Sequence, residues 1–134
     1  MVTIPGKIVR GLGAASQTIR LQMPHLARVC PELQACKTAT INVILECQLE
    51  VASPDFLVGP IEWTGSGGPG ELFGLLKIRF ELVDPKVETD AWLYIPYGSP
   101  HRLNPYYAEI LAPTLQRGDS SVCKIHLNAA KLIV

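Results

Sequence analysis

A chain of 134 residues with 48% hydrophobic and 18% charged side chains has room for one domain with its own core and too little for two. Acidic and basic side chains, 12 of each, cancel to a formal net charge of zero, which argues against a protein built to neutralise a nucleic-acid backbone. The 4 cysteines contain no C-x-x-C pair and the 3 histidines (His25, His101, His126) are scattered, so a zinc site has no support.

Taken in chain order, residues 3–10 form the first expected strand, with Pro5 suited to a strand end or an edge. Residues 11–16 are rich in small side chains and read as a hairpin loop. They lead to a second expected strand at 17–23, where Ile19, Leu21 and Met23 alternate with Thr18, Arg20 and Gln22. A short helix is expected over 25–33, with Leu26, Val29 and Leu33 at helical spacing and Pro31 limiting its length. Residues 40–47 alternate again, placing Ile41, Val43 and Leu45 inward, and 56–63 form a weaker strand between Pro54 and Pro60. The glycine-rich run 65–70 is a turn and not a linker, because a strand follows at once. That strand, 73–83, is the longest expected, with Ile78, Phe80 and Leu82 opposite Lys77, Arg79 and Glu81. Strands at 91–96, 108–111 and 122–127 complete the set. Residues 97–107 read as a long surface loop, and 128–134 as a short tail or last strand.

Short strands, tight turns and one or two short helices predict a mainly β fold, a small closed β-barrel occupying residues 1–134 as a single domain. Residues 1–8 lack the apolar run of a secretory signal, and no apolar stretch nears the roughly 18 residues of a membrane span. The expected setting is cytoplasmic, with reduced thiols, a small-molecule ligand, and neither nucleic acid nor membrane as partner.

Three groups of residues can carry chemistry. Gly11-Leu12-Gly13 closes the first expected strand, and its glycines let backbone N–H groups approach an anion; they serve a hairpin turn equally well. A dinucleotide fingerprint would need a third glycine near Ser16 and a following helix, and the Gly-Lys-Ser/Thr ending of a P-loop is absent. Thr40 and Asn42, two apart on a strand, share a face and offer neutral oxygens to a hard cation such as Mg²⁺. Asn is unfavourable in a strand; without a ligand it would sit on a solvated face or cap a backbone group. Glu109 lies among Tyr106, Tyr107, Ile110 and Leu111, either as a base for a substrate hydroxyl or as the outward residue of an edge strand. Trp92 and Tyr94 share a strand face that can stack a planar ligand or pack structurally, and His101 is a loop residue able to contact one.

Together these residues resemble the archaeal CTP-dependent riboflavin kinase family, a cradle-loop β-barrel. Gly-Lys-Ile-Val-Arg-Gly-Leu-Gly (residues 6–13) resembles the family's first glycine-rich element. Ala39-Thr40-Ile41-Asn42-Val43 resembles its Gly-Thr-Leu-Asn-Val strand, and Glu109-Ile110-Leu111-Ala112-Pro113 its strand ending in Glu-Ile-Ile-Ala-Pro. Gly118-Asp119 resembles the turn before its last strand. The resemblance implies that Gly11, Leu12 and Gly13, with Arg117 standing in for a family arginine, bind nucleotide phosphates. It implies that Thr40 and Asn42 hold Mg²⁺, and that Glu109, with Ser99 standing roughly where the family has a threonine, faces the flavin or other substrate, Glu109 as the catalytic residue; His101 remains a substrate contact expected from its place in the loop. The chain departs from the family at Ala14-Ala15-Ser16, where Glu-Gly is usual, and in a short run, Thr114 to Arg117, where a Lys-Leu-Arg-like segment is usual. The activity implied is a nucleotide- and Mg-dependent kinase acting on riboflavin or a related hydroxyl compound. The alternatives are a non-catalytic relative that binds a flavin, nucleotide or other small ligand, and a structural or oligomeric barrel with a vestigial pocket.

Overall fold

The computed structural model describes residues 1–9, 15–98, 104–115 and 121–133. Its strands are β1 (Val2–Val9), β2 (Ile41–Leu45), β3 (Phe56–Ile61), β4 (Glu71–Leu82), β5 (Val87–Pro96), β6 (Tyr107–Leu111) and β7 (Val122–Leu127). One α-helix, α1 (Ala15–Val29), and 3₁₀ helices at Pro31–Ala35 and Ala129–Lys131 complete the described elements. Every strand pairing is antiparallel. The sheet runs β4-β5-β6-β2-β1-β7 and returns to β4, closing a 6-stranded barrel.

Closure depends on the length of β4. Its 12 residues share one edge between two neighbours: β3 pairs with the first part, up to Phe56 opposite Leu75, and β7 with the last, Arg79 to Leu82. Period-2 alternation then sorts the side chains. Ile78, Phe80 and Leu82, with Val43, Leu45, Leu93, Ile110 and Ile125, fill the barrel, as the sequence predicts for β2 and β4. β1 crosses β2 so closely that a Cβ on Gly6 would lie 2.6 Å from Val43 Cγ1 and 3.0 Å from the Ile44 carbonyl oxygen. Gly59, at φ 111°, occupies the irregularity between Val58 and Ile61 where β3 shifts register against β4.

The expected strand at 17–23 is helical, and the expected loop at 11–16 already contains helix by Ala15. Residues 19 and 23 fall on one face in either geometry, so a three-residue alternation does not separate them. Leu21 decides the matter: it is 56% exposed, whereas Ile19, Met23 and Leu26, at i, i+4 and i+7, are buried. The helix expected at 25–33 is two elements, because Pro31 ends one and opens the 3₁₀ helix that buries Leu33. Together they cover the outside of the barrel, where Ile19, Met23, Leu26 and Leu33 pack on Phe73, Leu75, Trp92, Tyr94 and Leu111. The face shared by Trp92 and Tyr94 is therefore a second core and not an open stacking platform. Trp92 is tilted against Phe56 with ring centroids 5.8 Å apart, and Tyr94 stacks on Phe73 at the same separation.

The remaining strands fall near their expected positions. Tyr107 belongs to β6 and not to the preceding loop, and the C-terminal segment forms a 3₁₀ helix whose following residue, Leu132, bridges to Val51. Among the described residues, no helix is long and apolar enough to cross a membrane.

Candidate functional site

One row of the barrel's outer wall is polar. Cross-strand register places Tyr94 on β5 opposite Glu109 on β6, Glu109 opposite Asn42 on β2, and Asn42 opposite Val9 on β1. The row is set by alternation: Leu93, Ile110 and Val43, one residue away in each strand, point into the barrel. β6 lies between β5 and β2, so Glu109 is not an edge-strand residue.

Hydrogen bonds join the row. Asn42 is buried, at 7% exposure, and its Oδ1 accepts from the Tyr107 hydroxyl, which accounts for an asparagine inside a strand. The Thr40 hydroxyl, one residue before β2, donates to Glu109 Oε1 at 3.5 Å. At the other end of the row, the Tyr94 hydroxyl donates to Oε1 of Gln22, a buried polar residue of α1. Burial, reinforced by the Glu109 carboxylate, raises both Tyr94 and Tyr107 above the ordinary phenol value. Both hydroxyls therefore stay protonated, and remain donors, through the neutral range.

Two cavities border this row. One, of about 350 Å³, lies beside the end of β1 and is lined by Val9, Lys37, Thr40, Asn42, Thr114 and Leu115. The other, of about 280 Å³, opens beyond Tyr94 and Glu109, the last β5–β6 pair, and is lined by Tyr94, Tyr97, Tyr107, Glu109, Leu49 and Ile133. Asn42 lines the first cavity and its cross-strand neighbour Glu109 the second.

The structure thus brings together Thr40, Asn42 and Glu109, three residues that the sequence singles out, from segments 69 positions apart. Gly11, Leu12, Gly13, Ser99, His101 and Arg117, with the Gly118-Asp119 turn, lie outside the described residues. Sequence reading misses Tyr107, although it stands two residues before Glu109 and so shares its strand face. It also misses Lys37, whose backbone N–H donates to the Ala112 carbonyl at 2.9 Å and fixes the approach to β2. The oxygens of Thr40 and Asn42 are hard neutral donors, and the Asn42 carbonyl keeps a second lone pair beside the one used by Tyr107. These are the residues that would hold a hard cation, with phosphate oxygens and water completing its shell.

Comparison of the chain with protein-family models and with curated proteins finds no match.

Proposed function

We propose that this barrel is a nucleotide- and Mg-dependent small-molecule kinase of the kind its motifs resemble, transferring a phosphoryl group to riboflavin or a related hydroxyl compound. The observation that carries this reading is the Asn42–Glu109 pair: adjacent across β2 and β6, yet lining different cavities. Phosphoryl transfer needs a donor phosphate and an acceptor hydroxyl brought in line from opposite sides. The cavity lined by Thr40 and Asn42 takes the triphosphate, with Gly11 to Gly13 and Arg117 as its further contacts by resemblance. The cavity lined by Glu109 takes the acceptor, with Ser99 assigned to it by the same resemblance and His101 as a loop residue able to contact it.

In this scheme the acceptor oxygen attacks the terminal phosphorus, the bond from that phosphorus to the bridging oxygen breaks, and the acceptor proton passes to Glu109. Mg²⁺ held by Thr40 and Asn42 would supply charge to the phosphate oxygens. Tyr107 keeps Asn42 oriented, and Thr40 bridges the cation side to Glu109. Its cysteines 30, 36, 47 and 123 are free thiols, in keeping with a cytoplasmic setting.

A second reading has its own support. The Asn42 oxygen and the Thr40 hydroxyl both have protein partners, as a non-catalytic relative that binds a small ligand, or a structural barrel, would also require. Incubation with CTP, Mg²⁺ and riboflavin, followed by separation of flavin products, distinguishes the two. Accumulation of a phosphorylated flavin, suppressed in Asn42→Ala, supports the kinase. No product from any nucleoside triphosphate, with riboflavin or other hydroxyl acceptors, removes it.

A further inference from the structure

The Thr40–Asn42 cavity has a charge property that the motifs do not supply. Of the described residues lining it, Lys37 alone is charged, and the polar remainder, Thr40, Asn42 and Thr114, is neutral. Three cations elsewhere among the described residues are ion-paired, Lys77 to Glu32 at 3.0 Å, Arg79 to Glu88 and Asp90 at 3.1 and 3.0 Å, and Lys131 to Asp55 at 3.3 Å, whereas Lys7, Arg20, Arg28, Lys86 and Lys124 form no salt bridge there and line neither cavity. Among the described residues Lys37 has no such ion pair, and it is exposed at the cavity wall. Its backbone is nonetheless held, because its N–H donates at 2.9 Å to the carbonyl of Ala112, another residue of the cavity lining.

We infer that Lys37 is the phosphate-binding cation of this cavity: a positioning residue that neutralises a bound polyphosphate chain beside the oxygen donors Thr40 and Asn42. A wall with one positive group, neutral hydroxyls and an amide selects an anion and rejects a bare cation or an uncharged nucleoside. A lysine suits the task as a flexible point charge able to follow phosphate oxygens. Its place in the sequence, three residues before Thr40, also gives this chain a basic contact where the segment after Pro113 is short. This inference deepens the kinase reading and rests on it for the use of the cavity as the donor side.

The test is calorimetric titration of the folded full chain with inorganic triphosphate and, separately, with cytidine, in the presence of Mg²⁺. Lys37→Ala and Lys37→Arg are run beside the wild type; the side chain is exposed, so both variants should fold. Triphosphate should bind the wild type with affinity that falls as salt rises. Lys37→Ala should bind about tenfold more weakly, as expected for loss of a charge-assisted contact, and Lys37→Arg should keep most of the affinity. Equal affinities for wild type and Lys37→Ala, no triphosphate binding by the wild type, or cytidine bound as well as triphosphate would each overturn the assignment. The kinase reading is separable in the same samples. Lys37-dependent triphosphate binding without phosphoryl transfer upholds the anion site and removes the kinase. Transfer that is indifferent to Lys37→Ala, with its KM for nucleotide unchanged, does the reverse.

Discussion

At the scale of single residues, Glu109 and Asn42 line separate cavities, so the proposed kinase gives them separable roles. Glu109→Gln keeps the shape and an acceptor for the Thr40 hydroxyl but cannot take a proton. It should leave Mg-dependent nucleotide binding within about twofold while lowering kcat by about a hundredfold or more; steady-state kinetics beside calorimetry check both numbers, and full activity would exclude a base role. The thiols give a second residue-scale expectation. Cys30 and Cys123 are buried and Cys36 is half-buried; burial raises all three thiols, Cys36 and Cys123 to about 11, whereas Cys47 is exposed. A thiol reagent at neutral pH should label Cys47 first in the native protein and the others only on unfolding. Mass spectrometry of the labelled peptides reads this out, and early labelling of Cys123 would contradict the burial.

At the scale of elements, α1 and the 3₁₀ helix after it make the outer wall of β4, β5 and β6 a second core, which also anchors the polar row. Leu26 is fully buried in that core, so Leu26→Ala should cost about 2–5 kcal/mol in chemical denaturation. Gln22→Leu leaves the Tyr94 hydroxyl without its acceptor and should cost about 1–3 kcal/mol; a neutral result would mean that water satisfies the tyrosine. Much of this architecture is legible in the sequence. The alternation in β2 and β4 is long enough, and flanked well enough by turn residues, for its period to settle both strand and inward face. The helix is not legible, because Ile19, Leu21 and Met23 mimic a strand over a short window and Pro24 sits within the helix itself. The site divides the same way. Thr40, Asn42 and Glu109 stand out as polar residues in apolar strands, but their adjacency comes from barrel closure between distant segments, which local periodicity does not encode. Tyr107 and Lys37 lack that contrast, since a tyrosine in a strand and a lysine in a loop are ordinary.

At the scale of the whole molecule, closure runs through β7, which joins β1 to β4. His126 spans that seam: its Nδ1 lies 2.8 Å from the Thr3 hydroxyl and its Nε2 lies 2.9 Å from Glu81 Oε1. The surrounding carboxylates are balanced by cations, with Arg79 bonded to Glu88 and Asp90, and Lys124 opposite Glu81. The hydrogen bond from His126, above all, holds Glu81 below its ordinary value of 4.5. A depressed carboxyl contributes stability above its unfolded value and loses it as pH falls through its folded value. The melting temperature of His126→Ala should therefore lie below the wild type at neutral pH, with the gap narrowing as pH falls below the ordinary carboxyl value; a gap that stays constant on acidification would show that Glu81 is not the group involved. The proposed function puts a Mg-dependent phosphate site on the Asn42 side of the polar row on the barrel's outer wall. Calorimetric titration of CTP into the wild type and Asn42→Ala, each with and without Mg²⁺, tests it most directly. Micromolar binding, roughly −8 kcal/mol, by the wild type only with Mg²⁺, and lost in a folded Asn42→Ala, is the expected result. Binding that ignores both Mg²⁺ and Asn42, or no binding at all, would contradict it.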